Sequence, residues 1–234
     1  MPNITYIDGK YLNYEDSKIH VNDRGYHFGD AVYEVIVFNK NIFYDFDDHI
    51  QRLFKSLKSL EIKFSLSSSS LKIIINNLIR LNKAIIGSVY IQVSRGVAER
   101  NHSFHGLNIK PILTIILTKK SNIENNINGV KAITLNDNRW SRPDIKTTQL
   151  LPNVLAKTLA NKNNAYECIF IDDEGYVTEG SSSNIWALNK ENQLITRNLD
   201  GKILSGITRN SISLFAKKNN ITVIEKKFTQ IELY

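Results

Sequence analysis

Cysteine is almost missing from this chain. Cys168 is the only one, which excludes an internal disulfide and any cysteine-cluster metal site. No Gly-rich phosphate loop of the Walker or Rossmann kind is present, so those nucleotide-binding classes are set aside. The Gly-x-Ser-x-Gly elbow of serine hydrolases is also absent. No apolar run reaches the roughly 20 residues needed to span a bilayer. Met1 to Asp8 has no basic stretch followed by an apolar one, so no secretory signal is expected and a cytoplasmic location is the default. The five histidines lack metal-ligand spacing apart from His102 and His105, which lie in a loop, and no metal site is expected.

What is present is ordinary for a globular protein. Hydrophobic residues make up 42% and charged residues 23% of 234 positions, enough chain for one large domain or two small ones. The formal net charge is +7. A nucleic-acid surface gathers its basic residues on one face. Here the lysines are scattered, with only doublets at Lys119-Lys120, Lys217-Lys218 and Lys226-Lys227. The charge therefore suits attraction of small anionic substrates, not nucleic acid.

The pattern mixes short strands and amphipathic helices. Ile4 to Ile7 and Lys10 to Leu12 flank Asp8-Gly9, a hairpin signal. Ala31 to Phe38, rich in Val, Ile, Tyr and Phe, predicts a strand. Asp48 to Ile62 carries apolar residues at helical spacing, with Asp47 or Asp48 as cap, and Leu71 to Leu81 reads as a second helix. Strands are expected at Val89 to Val93 and Ile112 to Leu117, joined by the long polar connection Arg95 to Lys110. Later come a strand at Val130 to Leu135, a helix at Leu150 to Lys162 with Pro152 in its first turn, and strands at Glu167 to Ile171, Ile185 to Leu188 and Leu194 to Thr196. A helix at Thr208 to Lys218 and a strand at Ile221 to Phe228 complete the pattern. No regular βαβ alternation emerges, so the expected class is α+β with mixed sheets. A polar stretch suggests two domains: 1–118, a linker 119–128, and 129–234.

Six segments carry the functional signal, and none decides alone. They are Ile19 to Glu34, centred on Asp23-Arg24-Gly25-Tyr26 and Phe28-Gly29-Asp30; His49 to Leu53; Arg95-Gly96 with Arg100 and His102; Arg139-Trp140 with Asp144-Ile145-Lys146; Thr178 to Asn184; and Gly206 to Arg209. In this order and spacing the set resembles the D-amino-acid aminotransferases, two-domain pyridoxal-phosphate enzymes of fold type IV, over nearly the whole chain.

The resemblance implies roles for individual residues. Lys146 corresponds to the Schiff-base lysine and proton shuttle; a lone lysine is otherwise a solvated surface charge. Burial at a strand end would make its amine nucleophilic. Glu179 corresponds to the carboxylate that keeps the cofactor ring nitrogen protonated. Arg52, off the apolar stripe of its helix, corresponds to a guanidinium of the phosphate cup. Ile207 and Thr208 correspond to helix N-terminal amides in the same cup, and Leu204 to a residue packed on the ring. Tyr33, Arg100 and His102 correspond to the substrate-carboxylate ligands, with the arginine and histidine supplied by the neighbouring subunit of a homodimer. The expected reaction moves the amino group of a D-amino acid such as D-alanine to a 2-oxo acid.

Two other expectations stand beside it. Branched-chain aminotransferases and aminodeoxychorismate lyases share the fold and the lysine, although the Arg-x-His pair points away from the former. Members of the resembled family also continue for a few dozen residues past the equivalent of Tyr234, so a shortened second domain is expected. That shortening raises the prospect of a non-catalytic remnant.

Overall fold

The computed structural model describes residues 3–120 and 128–233, which form two compact units. The first comprises residues 1–124 with Lys146–Gln149, and the second comprises 125–145 with 150–234. Most of the linker expected at 119–128 lies outside the described residues.

The first unit is built on one six-stranded sheet, in the order β2-β1-β6-β5-β3-β4. Its strands are β1 (Ile4–Ile7), β2 (Lys10–Asn13), β3 (Ala31–Asn39), β4 (Ile42–Phe43), β5 (Ile86–Ser94) and β6 (Ile112–Lys119). The Asp8-Gly9 turn forms as expected. Both residues take positive φ, 42° and 93°, which matches the turn twist to that of the paired strands. A one-turn helix, α1 (Arg24–Phe28), is capped by the Asp23 carboxylate and stopped by left-handed Gly29.

Two longer helices, α2 (Phe46–Ser59) and α3 (Ser68–Leu81), cover the sheet. The first packs on β3 and the second on β1 and β6. α2 starts two residues before the expected span, after Asp45 in the left-handed region, so neither Asp47 nor Asp48 is its cap. On β3 the alternation buries Val32, Glu34, Ile36 and Phe38 on one face.

The second unit has two three-stranded sheets, ordered β7-β8-β9 and β10-β11-β12. These use β7 (Ala132–Asn136), β8 (Glu167–Ile171), β9 (Val177–Gly180), β10 (Trp186–Leu188), β11 (Leu194–Thr196) and β12 (Val223–Glu225). The first sheet pairs β7 and β8 in parallel and β8 and β9 antiparallel. Helix α4 (Leu151–Lys162) places Ala156 and Ala160 against Cys168 and Phe170. Pro152 sits in its first turn, where the missing N–H costs no helical bond. Phe228 fills a second cluster with Val177, Ala187 and Ile195. Helix α5 (Ile207–Lys218) follows Gly206.

Lys146–Gln149, expected within the second domain, belongs to the first unit. The reason is main-chain pairing. Tyr33 N–H donates to the Lys146 carbonyl at 3.0 Å, Thr148 N–H donates to the Ala31 carbonyl at 3.1 Å, and Thr147 bridges Val32. The four residues thus lie along the free side of the first half of β3.

Candidate active site

The expected site residues fall into three clusters. Lys146 and Tyr33 form the first. Pairing with β3 fixes the Lys146 backbone, and its N–H reaches the Ser56 hydroxyl of α2 at 3.4 Å. The half-buried side chain carries its ammonium 4.4 Å from the centre of the Tyr33 ring. Tyr33 in turn stacks on Tyr90 of β5, with ring centres 5.5 Å apart. Burial, aided by Tyr33, pushes the Tyr90 hydroxyl up to about 12. It therefore remains a neutral donor at ordinary pH, and it donates to the Gln92 amide oxygen at 2.6 Å.

Behind this cluster, on the other face of β3, lies a charged group for which no role was expected. Glu34 has no exposed surface. It accepts Arg52 Nε at 2.6 Å and Arg52 Nη2 at 2.8 Å, and His49 Nδ1 lies 2.7 Å away. Burial alone raises the Glu34 carboxyl. Donation from Arg52 and His49, with the charges of Arg52 and Lys146, outweighs it and holds the group below its usual value. Two donors of Arg52 are therefore committed to Glu34. The signal was in the sequence: position 34 lies in register with apolar 32, 36 and 38, and a carboxylate in such a row needs cationic partners.

The second cluster surrounds Glu179, 7% exposed at the end of β9. Arg139 Nη1 donates to Oε1, and Oε2 accepts Leu204 N–H at 3.0 Å and Asn184 Nδ2 at 3.1 Å. Arg139 is itself clamped by Asp137, with bonds of 2.8 and 2.6 Å. Burial pushes the Glu179 carboxyl up, while Arg139 and the Leu204 N–H pull against it. Asn184 also donates to the Leu204 carbonyl, which ties the loop after β9 to the segment before α5. Leu204 thus meets Glu179 through its main chain.

Three residues further on, Ile207 and Thr208 open α5 after a glycine cap, so no capping side chain fills the first amides. Gly206 is required here by space. A Cβ would lie 2.0 Å from the Asn184 side-chain oxygen. All three hydroxyls of the serine run 181–183 donate to Glu167, and donation from Ser181, the Cys168 N–H and Ser183 holds its carboxyl low against burial.

The third cluster holds Arg100 and His102. Both pack on Phe28 of α1, the guanidinium 5.3 Å and the imidazole ring 5.4 Å from its centre. His102 lines a cavity of about 380 Å³ with Arg24, Asp30, Arg95 and Phe104.

The second unit offers an oriented buried carboxylate, which suits a cationic nitrogen, and a helix start without a side-chain cap, which suits an anion. The first unit offers a half-buried amine beside a strand edge. The chain belongs to the class IV amino-transferase family, whose model matches residues 31–234. It is 39% identical to a D-alanine aminotransferase of Bacillus licheniformis over 97% of this chain and 80% of that one. It is 40% identical to a D-alanine aminotransferase of Staphylococcus aureus over 96% of this chain and 79% of that one. Among solved structures, a branched-chain aminotransferase from Thermoproteus uzoniensis matches with a TM-score of 0.85 at 24% identity, covering 100% of this chain and 81% of that one, a likeness of fold. Among the described residues no helix is long and apolar enough to cross a membrane.

Proposed function

We propose that the chain transfers the amino group of a D-amino acid, with D-alanine as the reference donor, to a 2-oxo acid, using pyridoxal phosphate. The observation that carries the reading is the setting of Glu179: a nearly buried carboxylate aimed by Arg139, Asn184 and the Leu204 N–H, in the same unit as the uncapped start of α5. That combination suits a protonated ring nitrogen and a phosphate. The first unit supplies Lys146, Tyr33 and Arg52.

When bound, pyridoxal phosphate supplies an aldehyde to capture the amine and a ring to take up the electron pair left by the α-proton. The chain's own residues do the rest. Lys146 Nζ would hold the cofactor between turnovers and would then carry a proton from the substrate α-carbon to the cofactor's former aldehyde carbon. Glu179 holds a proton at the ring nitrogen, and Leu204 covers the ring. Arg52, with the Ile207 and Thr208 amides, receives the phosphate. Tyr33 holds the substrate carboxylate, with Arg100 and His102 donated by the second subunit of a homodimer. Which side of the pocket binds the carboxylate decides between D and L substrates.

The test is the visible absorption of the purified protein with pyridoxal phosphate, before and after each isomer of alanine. A cofactor band that bleaches with D-alanine and persists with L-alanine supports the reading. Bleaching with the L-isomer favours branched-chain chemistry, and the absence of a band favours a remnant without cofactor.

A further inference from the structure

Arg100 and His102 lie in the irregular connection between β5 and β6. Its base is fixed by main-chain contacts. Arg24 N–H donates to the Gly96 carbonyl, Ala98 N–H donates to the Asn22 carbonyl, and Asp23 bridges Val97. Gly96 takes a φ of 109°, and a Cβ there would lie 2.0 Å from the Lys110 carbonyl, so the two ends of the connection meet.

The middle of the connection is held by a side chain. Arg24 is 3% exposed. Its Nε donates to Asp30 at 2.9 Å, its Nη1 to the Asn101 carbonyl at 2.5 Å, and its Nη2 to the His102 carbonyl at 3.1 Å. The same Asp30 carboxylate accepts Arg95 Nε at 2.7 Å and Nη2 at 3.0 Å. Arg95 also donates to the carbonyls of Leu60 and Glu61 beyond α2, and Phe104 lies 3.6 Å from its guanidinium. One carboxylate therefore anchors two arginines, one gripping the connection and the other the helix. A guanidinium is a rigid planar fork. Spanning two consecutive carbonyls, it fixes the peptide planes that precede and follow His102, and hence the direction in which His102 leaves the chain, with Arg100 one residue upstream of the grip.

We infer that Arg24 is a positioning residue for substrate selection, acting through the main chain of Asn101 and His102 with Asp30 as its anchor. Its guanidinium is engaged by Asp30 and the two carbonyls. The inference rests on the assignment of Arg100 and His102 to the substrate carboxylate.

Steady-state kinetics with D-alanine, on the chain loaded with pyridoxal phosphate, compares the wild type with Arg24→Lys and Arg100→Ala. Hydrogen exchange across 99–104 and cofactor affinity are measured in parallel. Lysine keeps a charge near Asp30 but cannot span both carbonyls. For Arg24→Lys we expect an increase in KM of about tenfold, a kcat within about threefold, and faster exchange at 101–104, with unfolding temperature and cofactor affinity nearly unchanged. A purely structural role would instead lower stability and kcat together and leave KM in place. Unchanged KM in Arg24→Lys beside a raised KM in Arg100→Ala overturns the inference alone. Unchanged KM in Arg100→Ala overturns the carboxylate assignment and the inference with it.

Discussion

Arg52 and Glu34 form a two-pronged ion pair, Nε to Oε1 at 2.6 Å and Nη2 to Oε2 at 2.8 Å, across the interface of α2 and β3. The carboxylate is fully buried and the guanidinium nearly so, at 0% and 11% side-chain exposure. The pair fixes the orientation of the fork that the proposed function aims at phosphate.

Removing either partner has unequal consequences. Arg52→Ala leaves a buried carboxylate with His49 as its remaining bonded partner and the more distant charge of Lys146, and we expect a loss of about 3–5 kcal/mol in urea denaturation. Glu34→Gln removes the charge instead and is expected to cost less. It should also weaken cofactor binding, read by fluorescence titration, because Arg52 loses its alignment. Equal losses in the two variants would contradict this account.

Acid should destabilise the protein partly through Glu34. Its folded value lies below its unfolded one. The associated stability is therefore present above the unfolded value of about 4.3 and disappears as pH falls through the folded value. Asp137, held low against its burial by Arg139 and Thr178, acts in the same direction. Chemical denaturation of Glu34→Gln is expected to show a flatter slope than the wild type from about pH 5 downward, the two curves converging in acid.

Lys146→Ala is expected to abolish turnover while leaving the thermal unfolding midpoint within a few degrees. The Lys146 backbone, not its side chain, makes the bond with Tyr33. Retained activity in that variant, measured with D-alanine and a 2-oxo acid, would overturn the assignment of Lys146.

At Gly206 the backbone φ of −67° suits any residue, so only space excludes a side chain. Gly206→Ala should displace Asn184, leave Glu179 Oε2 with the Leu204 N–H alone, and cost about 1–3 kcal/mol. Asn184→Ala should also destabilise, yet the double variant is expected to be more stable than the sum of the two losses implies, because the clash is gone. Additive losses would place the strain elsewhere.

The sequence revealed most of the regular elements, because β3, α2, α3, α4 and α5 bury faces of period two or period 3.6. It hid β9. Val177-Thr178-Glu179-Gly180, followed by three serines, reads as a turn, yet all four residues are buried. Pairing with β8 and donation from the serines to Glu167 supply what local propensity lacks. It also hid α1, a single turn too short for a period. The expected strand Ile221 to Phe228 shrinks to Val223–Glu225, although Phe228 still pairs through its carbonyl with Val177. The candidate residues were found through their motifs. Of their supports, Glu34 was legible as a carboxylate in an apolar row, whereas the reach of Arg24 to the carbonyls of Asn101 and His102, and of Asp137 to Thr178, joins residues distant in sequence, which no local pattern encodes.

The return of Lys146–Gln149 to β3 constrains how the polypeptide matures as it is made. Domains commonly fold from the N-terminus during synthesis. Here the first 120 residues leave the ribosome with the start of β3 still lacking a partner on one side. That strand is finished only when residue 148 emerges, after some twenty residues of the second unit have been made. Lys146 thus arrives with the piece that closes the first unit, and a fragment cut before it would carry a raw sheet edge as well as lack that amine.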